Sequence, residues 1–534
     1  MLLNIIKNFL IIRRYKSFNR KIFKKINVKN KSEILIEFNT FSSFHVLASY
    51  FVNYLSDKFS SRIVGYYNYS LIASSLKNSF FNKIKWFLIS KFFLKYCGIY
   101  NSFGVSNFIR PNIYKAIEIK SKKEYDIISL KILSQDDIKN ISVEGIIIGD
   151  LIIDSYLRFN KLRTFDYQSK SFQEYIYQFL ILFYYFKEYF FRNNIKAVIG
   201  VHATYSYGVI LRISMSMNIP TFTIYEGKLF RLSKKRPFQI SQFLDYDFYF
   251  EKLTEEEKLR SIDIGKNLLK KRISGGKTHE IYQNFATKSS FEEVGKTNQR
   301  VLENSKKIKI LIATHEYFDS PHVYGNFFFN DFYDWTISLA KFSKETSYQW
   351  YIKDHPRYHG KIKDSQKFTY ETTMDIIREN KNIIYIDPDT SHHQIISEGI
   401  DFVCTVYGSV LFEYPAFGIP VIPATKNHPC NKYNFYIKSQ DREDYFKNLN
   451  NLSNIKIKID LNELYRFYFM HFAYFSHNSY YNLYGDFMKK FNQYEKYFTP
   501  DFYEYWYKNW NQAQHKEILN KLEEYFHSGN YLLK

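Results

Sequence analysis

One pattern recurs between residues 308 and 422 and limits the folds open to this chain. A short apolar run ends in a polar loop, and the loop leads into the next element. The runs are Ile308–Ala313, Trp350–Lys353, Asn382–Ile386, Asp401–Val406 and Ile419–Ile422. Helical periodicity predicts helices over about 331–345, 370–379, from Ser391, and from Ser409 to Phe417, with Gly418 where a helix stop is expected. Apolar strands of this length separated by helices pack as a parallel sheet with both faces covered. In such doubly wound sheets ligands bind beyond the carboxyl ends of the strands. The loops that matter are therefore those following each run.

The chain has 534 residues, too many for one core, so at least two domains are expected. The first half carries the same signals: strands at Ile34–Phe38, Arg62–Tyr66, Lys196–Val201 and Ile219–Tyr225, with helices to about Leu55 and over 206–217. The expected organisation is a basic amphipathic segment 1–30, a Rossmann-like domain 31–250 and a helical connection 251–305. A second Rossmann-like domain at 306–455 and an aromatic-rich helical tail at 456–534 complete it. The fold class is thus α/β, with two doubly wound parallel sheets and extra helices at both termini.

Aromatic residues make up 20% of the chain and are spread throughout, so no single Phe or Tyr marks a site. The net charge of +22 favours anionic partners. The positive charge is not gathered into a compact basic helix, and no zinc-finger spacing or RNP-like run is present, so nucleic acid is not expected. Cys97, Cys404 and Cys430 fit no metal spacing and are expected as free thiols in a reducing compartment.

Residues 2–12 are mostly apolar and are followed by Arg13, Arg14, Lys16, Arg20 and Lys21. The stretch is too short to span a bilayer, and charge follows it where a signal peptide would carry it first. Two readings remain: an interfacial helix on an anionic membrane, or a helix packed on the protein. With residues 172–186 read as a buried helix, no membrane span is predicted. A cytoplasmic protein, peripheral on the inner face of the inner membrane, is expected.

Two loops of the second domain carry chemistry. Gly408-Ser409 stands where a strand turns into a helix; glycine permits close backbone approach, and a helix N-terminus favours phosphate. Ser409 either caps the helix or donates to a phosphate oxygen. Glu413, one turn on, either faces solvent or accepts from ribose hydroxyls. Lys353, His355 and Arg357 cluster at another strand end and suit a departing phosphate, with His355 able to donate a proton. Ser391 is a helix cap or a further ligand. His315 and Asp319 follow the first strand of this domain and are expected at the cleft. In the first domain, Glu226 ends a strand and suits deprotonation of an acceptor hydroxyl. Asp150, Asp154 and Arg158 form a second polar group, where the last two stand at a spacing that serves an ion pair or a substrate contact. His45 is a weaker cleft candidate. No carboxylate set supplies a metal cage, so neither metal nor cofactor is expected.

The segments Glu144–Arg158, Ile219–Gly227, His315–Pro321, Ile352–Pro356 and Thr405–Val421 together resemble bacterial surface-carbohydrate biosynthesis proteins of the GT-B glycosyltransferase type. The paired His-Pro and Gly-Ser elements are similar to those of capsule Kdo-transferase-like proteins, bacterial sialyltransferases and polyglycerol-phosphate polymerases. Tyr225-Glu226-Gly227 has one acidic residue where sialyltransferases carry two. The resemblance implies a central cleft between two domains, with His355 and Ser409 on the donor phosphate, Glu413 on the donor ribose or sugar, and Glu226 or Asp150 as base. The implied activity moves a sugar from a nucleotide-activated donor to a glycan or lipid-linked acceptor of a capsule or lipopolysaccharide. A glycerol- or ribitol-phosphate transferase, a nucleotide-sugar epimerase and a non-catalytic assembly scaffold are the alternatives.

Overall fold

The computed structural model describes residues 2–23, 31–67, 80–110, 113–225, 227–239, 245–275, 289–292, 299–355, 363–455, 457–475, 486–487, 490–491 and 494–533. The chain divides into two compact units. Unit 1 is Met1–Asn160, Phe165–Gln239 and His477–Lys534, and unit 2 is Lys161–Thr164 and Ile240–Ser476.

In unit 1, helices α1 (Leu2–Ile22), α2 (Ser42–Phe59), α3 (Phe80–Lys91), α4 (Lys95–Ser102), α5 (Lys115–Ser129), α6 (Gly149–Asn160), α7 (Lys170–Arg192) and α8 (Gly208–Ser216) surround a six-stranded sheet. Its strands are β1 (Glu33–Glu37), β2 (Arg62–Tyr66), β3 (Val105–Ile109), β6 (Ile195–Gly200), β7 (Thr221–Tyr225) and β8 (Lys228–Leu232), in the order β3-β2-β1-β6-β7-β8. A separate hairpin joins β4 (Ser142–Val143) and β5 (Ile146–Ile147). The pairs from β3 to β7 are parallel, and β8 runs antiparallel to β7. All five residues of β1 are buried, as a central strand covered on both faces requires. The switch in strand order falls between β1 and β6.

Unit 2 holds a five-stranded parallel sheet of β9 (Lys309–Ala313), β10 (Gln349–Lys353), β11 (Ile383–Ile386), β12 (Phe402–Thr405) and β13 (Val421–Pro423), in the order β11-β10-β9-β12-β13. Its helices include α9 (Glu255–Ile273), α10 (Phe332–Phe342), α11 (Lys363–Glu379), α12 (His392–Ser397), α13 (Val410–Glu413) and α14 (Leu461–Phe469). Each expected strand is present within two residues of its predicted ends. The switch point lies between β9 and β12. Ile310, Ile312, Trp335, Trp350 and Ile352 centre the core beneath it. Both units are thus doubly wound α/β sheets, the fold class expected from the sequence.

Two boundaries differ from expectation. The described residues of the 251–305 connection belong to unit 2, where α9 lies along α14. Gly265 makes that approach possible, because a Cβ there would stand 1.9 Å from the Tyr465 carbonyl oxygen. The 456–534 tail is divided between the units. α14 packs Phe467 against Phe412 and Phe435, whereas helices α15 (Pro500–Asn509) and α16 (Gln512–Ser528) belong to unit 1. There Tyr503 of α15 stacks on Tyr15 of α1 at 4.1 Å, and Leu533 donates its amide to Leu229 of β8. The final residues so cover part of an edge that would otherwise be open. Aromatic faces of the same composition bury against different cores, which composition alone does not resolve.

Candidate functional site

The two switch points are built alike: a side chain at the end of the first strand, or just beyond it, bridges to a backbone amide of the loop after the fourth. In unit 2 that side chain is His315. Its Nε2 lies 3.3 Å from the Val406 amide and 3.5 Å from that of Tyr407, both donors, so Nε2 accepts and Nδ1 carries the proton. The ring stacks on Phe332 at 4.8 Å. Burial, with His355 adding to it, pushes the imidazole down to about 3. His315 is thus a neutral brace that holds the two loops together. Asp319, in the same loop, pulls the other way on its titration, so it stands near the ring.

The Gly408-Ser409 loop departs from expectation in two ways. The space above Gly408 is filled by its own loop rather than left open, since a Cβ would meet Thr405 Oγ1 at 2.9 Å. The helix after Ser409 is only Val410–Glu413, continuing as a 3-10 turn over Tyr414–Phe417. Pro415 has no amide to extend the α-helical ladder, so the helix dipole is short. Gly418 ends the turn in the left-handed conformation, at φ 76°.

A cation from a distant segment supplies what the short helix does not. Arg272, at the end of α9, places Nε 2.7 Å from Glu413 Oε1 and Nη2 3.3 Å from Ser409 Oγ. Glu413 is buried rather than exposed, and its carboxylate is engaged by this guanidinium. Ser409 does not cap the helix. It accepts from Arg272, which directs its own proton elsewhere. The neighbouring His393 Nε2 donates to the Ile273 carbonyl and fixes the end of α9 against α12.

The loop after β10 is partly inward. Lys353 is buried, with Nζ 2.8 Å from the Pro388 carbonyl, so it ties the loop after β11 to β10. Asp354 is also buried. It accepts from Thr314 at 2.9 Å and Thr373 at 2.7 Å, and burial raises its carboxyl above the ordinary range. His355 is exposed and close enough to His315 and His392 to lower both. Arg357 lies outside the described residues. Ser391 is almost fully buried and accepts from the His393 amide at 3.2 Å, so it is a cap rather than a ligand. Its cap position consumes the oxygen that a ligand would need.

In unit 1 the brace is Glu37. Its Oε2 accepts the Val201 amide at 2.9 Å across the switch point. Burial pushes the carboxyl up to about 8. His202 follows β6, with Nδ1 3.1 Å from Gln239 Nε2 and its ring 5.0 Å from that of Tyr225. Glu226 lies outside the described residues. Asp150 is not a free base, because both its oxygens are held by the Arg212 guanidinium. Asp154 is buried and Arg158 exposed, one turn apart on α6. His45 does not face a cleft. It is fully buried, donates from Nε2 to the Asn39 carbonyl at 3.1 Å and accepts the Tyr503 hydroxyl at Nδ1, and burial pushes it down to about 3.

The structure therefore gathers His315, Asp319, His355, Gly408, Ser409 and Glu413 about one switch point, and it engages Lys353, Ser391, Asp150 and His45 in buried contacts of their own. Sequence reasoning missed Glu37, His202 and Arg272. Glu37 and His202 each end an apolar run, the same signal that marked His315. Arg272 lies in a polar helix and carries no local signal. Among the described residues, no group of three or more His, Cys, Asp or Glu is placed to hold a metal ion. No helix of the described residues is long and apolar enough to cross a membrane.

No family model matches this chain, and no curated protein matches it. Among solved structures, it is similar to a UDP-GlcNAc 2-epimerase from Neisseria meningitidis bound to UDP-GlcNAc, at 10% identity over 82% of this chain and 97% of that one, with a TM-score of 0.23. A UDP-GlcNAc 2-epimerase from Methanocaldococcus jannaschii aligns at 12% identity over 81% and 95%, with a TM-score of 0.26. A variant of the wall teichoic acid polymerase TagF aligns at 12% identity over 98% of each chain, with a TM-score of 0.19.

Proposed function

We propose that this protein is a nucleotide-sugar-dependent glycosyltransferase of the GT-B type that builds a bacterial surface polysaccharide. The observation that supports this reading is the gathering of Ser409, Arg272 and His355 at the carboxyl end of the unit 2 sheet, at its switch point. The Ser409 hydroxyl and the Arg272 guanidinium offer donors to a diphosphate, and His355 stands at the exposed side to protonate or neutralise the departing phosphate. Glu413 orients Arg272 and thereby the site's positive charge. The acceptor is a glycan or lipid-linked hydroxyl, which a general base deprotonates. The reaction breaks the bond from sugar to nucleotide phosphate and forms a glycosidic bond. The acceptor proton passes to the base, and the nucleotide leaves with its phosphates.

The test pairs binding with turnover. Wild type and His355→Ala are heated with CMP, CDP, UDP, GDP and ADP, and nucleotide release is followed with the corresponding sugar donors. One nucleotide at about 100 times its dissociation constant stabilises wild type by roughly 2.7 kcal/mol. His355 is exposed, so its replacement changes stability by less than about 0.5 kcal/mol. Release falls about a hundredfold or more in the variant. Donor conversion without any acceptor would replace this reading with an epimerase, and a phosphodiester product would replace it with a polyol-phosphate transferase. Stabilisation by none of the nucleotides would leave a non-catalytic scaffold.

A further inference from the structure

Unit 1 carries an apolar surface that its own described residues leave open. No residue of α3 is buried. The helix is attached through Trp86, whose ring stacks on Tyr67 at 4.9 Å and meets Phe38 edge-on at 5.2 Å. Phe81, Ile84 and Leu88 lie three and four residues apart on the face away from Trp86, and Phe81 is 80% exposed. Lys83 and Lys85 flank that stripe. The apolar surface continues past the helix end at Phe92, 65% exposed, and Leu94.

α1 adds to the same surface. Its second half packs inward through Ile11, Tyr15 and Asn19, followed by Phe23 just past its end, so one of the two readings of the N-terminal segment holds for that half. Its first half leaves Ile5, Ile6, Phe9 and Leu10 in solvent. Asn19 Nδ2 donates to Ser102 Oγ at 3.0 Å, and Lys16 Nζ lies 3.0 Å from where a Cβ on Gly98 would stand. These two contacts advance in the same direction along α1 and α4. The same Cβ position on Gly98 would meet the Phe93 carbonyl oxygen at 2.5 Å, so the turn from α3 into α4 lies beside Lys16 of α1. Neither α1 nor residues 80–102 contain an Asp or Glu, whereas the latter carry four lysines.

We propose that this surface seats unit 1 on an anionic lipid bilayer, with its phenylalanines at the headgroup–acyl boundary and its lysines on lipid phosphates. An apolar stripe edged by lysine is the pattern of a helix lying in the membrane interface. The charge selects the occupant. A second copy would bring lysine rim against lysine rim, which opposes association, whereas an anionic leaflet complements both the rim and the apolar centre. The inference stands apart from the reading of unit 2, since it requires no nucleotide and no catalysis.

Flotation of the full chain with vesicles tests it. Vesicles of phosphatidylcholine mixed with phosphatidylglycerol capture the wild type, phosphatidylcholine alone captures much less, and raised salt weakens the difference. The double change Phe81→Ser, Phe92→Ser reduces capture by about tenfold or more. Lys83→Glu with Lys85→Glu removes the preference for the anionic vesicles. The replaced side chains are solvent-exposed, so melting temperatures stay at the wild-type value. Failure of wild type to float with the anionic vesicles overturns the proposal without reference to any variant. Equal capture of wild type and the phenylalanine variant, or a dimer in sedimentation that the phenylalanine changes dissolve, overturns it as well.

Discussion

The two switch points share a plan and differ in what fills them. In unit 1, Glu37 reaches across to the Val201 amide as a buried carboxyl that favours its protonated form. In unit 2, His315 reaches across to Val406 and Tyr407 as a neutral imidazole, and beside it stand Arg272, Glu413 and His355. The same backbone problem, an exposed set of loop amides at the reversal of strand order, is solved in both by one acceptor. Among the described residues, it is the unit 2 acceptor that has an ion pair beside it. The unit 1 end closes on a carboxyl, and the unit 2 end adds an ion pair and an exposed imidazole.

Removing the charge from unit 2 should have the largest effect. Arg272→Ala leaves the Glu413 carboxylate buried without its partner, with an expected loss of about 3–5 kcal/mol. Arg272→Met combined with Glu413→Leu should lose much less, because neither charge is then stranded. Urea unfolding followed by hydrogen exchange of peptides from each unit reads the two units separately. A loss confined to unit 2 sharpens the contrast. A loss below about 0.5 kcal/mol in Arg272→Ala breaks it, since the pair would then behave as a surface ion pair.

This pair also marks the limit of what the sequence discloses. The unit 2 strands were legible because each is a short apolar run, the first four leading into His315, Asp354, Asp387 or Gly408, and a parallel sheet buried on both faces demands such runs. The same logic applied to the end of β1 and β6 would have reached Glu37 and His202. β3 escaped because it lies at the sheet edge, where only Val105 and Phe108 are buried and the apolar run is broken. Arg272 was not legible by any local rule. Its position depends on Gly265 letting α9 close against Tyr465, some two hundred residues away in sequence. Asp150 and His45 were overread for the complementary reason. A polar residue near a strand end looks the same in sequence whether it faces a ligand or a buried partner.

The next effect is on pH. The Glu37 carboxyl moves from an ordinary 4.5 to about 8 on folding. Below 4.5 both folded and unfolded chains hold the proton, and between these values only the folded chain does. Stability of unit 1 therefore falls as pH rises through that window and levels above it. Glu37→Gln keeps the shape and the acceptor for Val201 but cannot ionise. The variant should lose this slope and match or exceed wild type at pH 8. A slope equal to wild type would mean that Glu37 is not the closing group.

His315 should give the smallest change in stability and the most specific change in binding. His315→Ala removes the acceptor for two amides and a ring stacked on Phe332, with an expected loss of roughly 1–3 kcal/mol. His315→Gln restores an acceptor and should recover part of it. Because burial holds the imidazole at about 3, the folded chain keeps it neutral across the range in which an ordinary histidine titrates. Its contribution is present above pH 6.5 and is lost gradually as pH falls toward 3, where the unfolded chain binds the proton first. Nucleotide-dependent stabilisation should accordingly stay level from pH 8 to 7 in wild type and be weak at both values in His315→Ala. If the alanine variant binds nucleotide as wild type does, the loop after β12 does not need its brace. The difference between the two switch points would then lie in Arg272 and Glu413 alone.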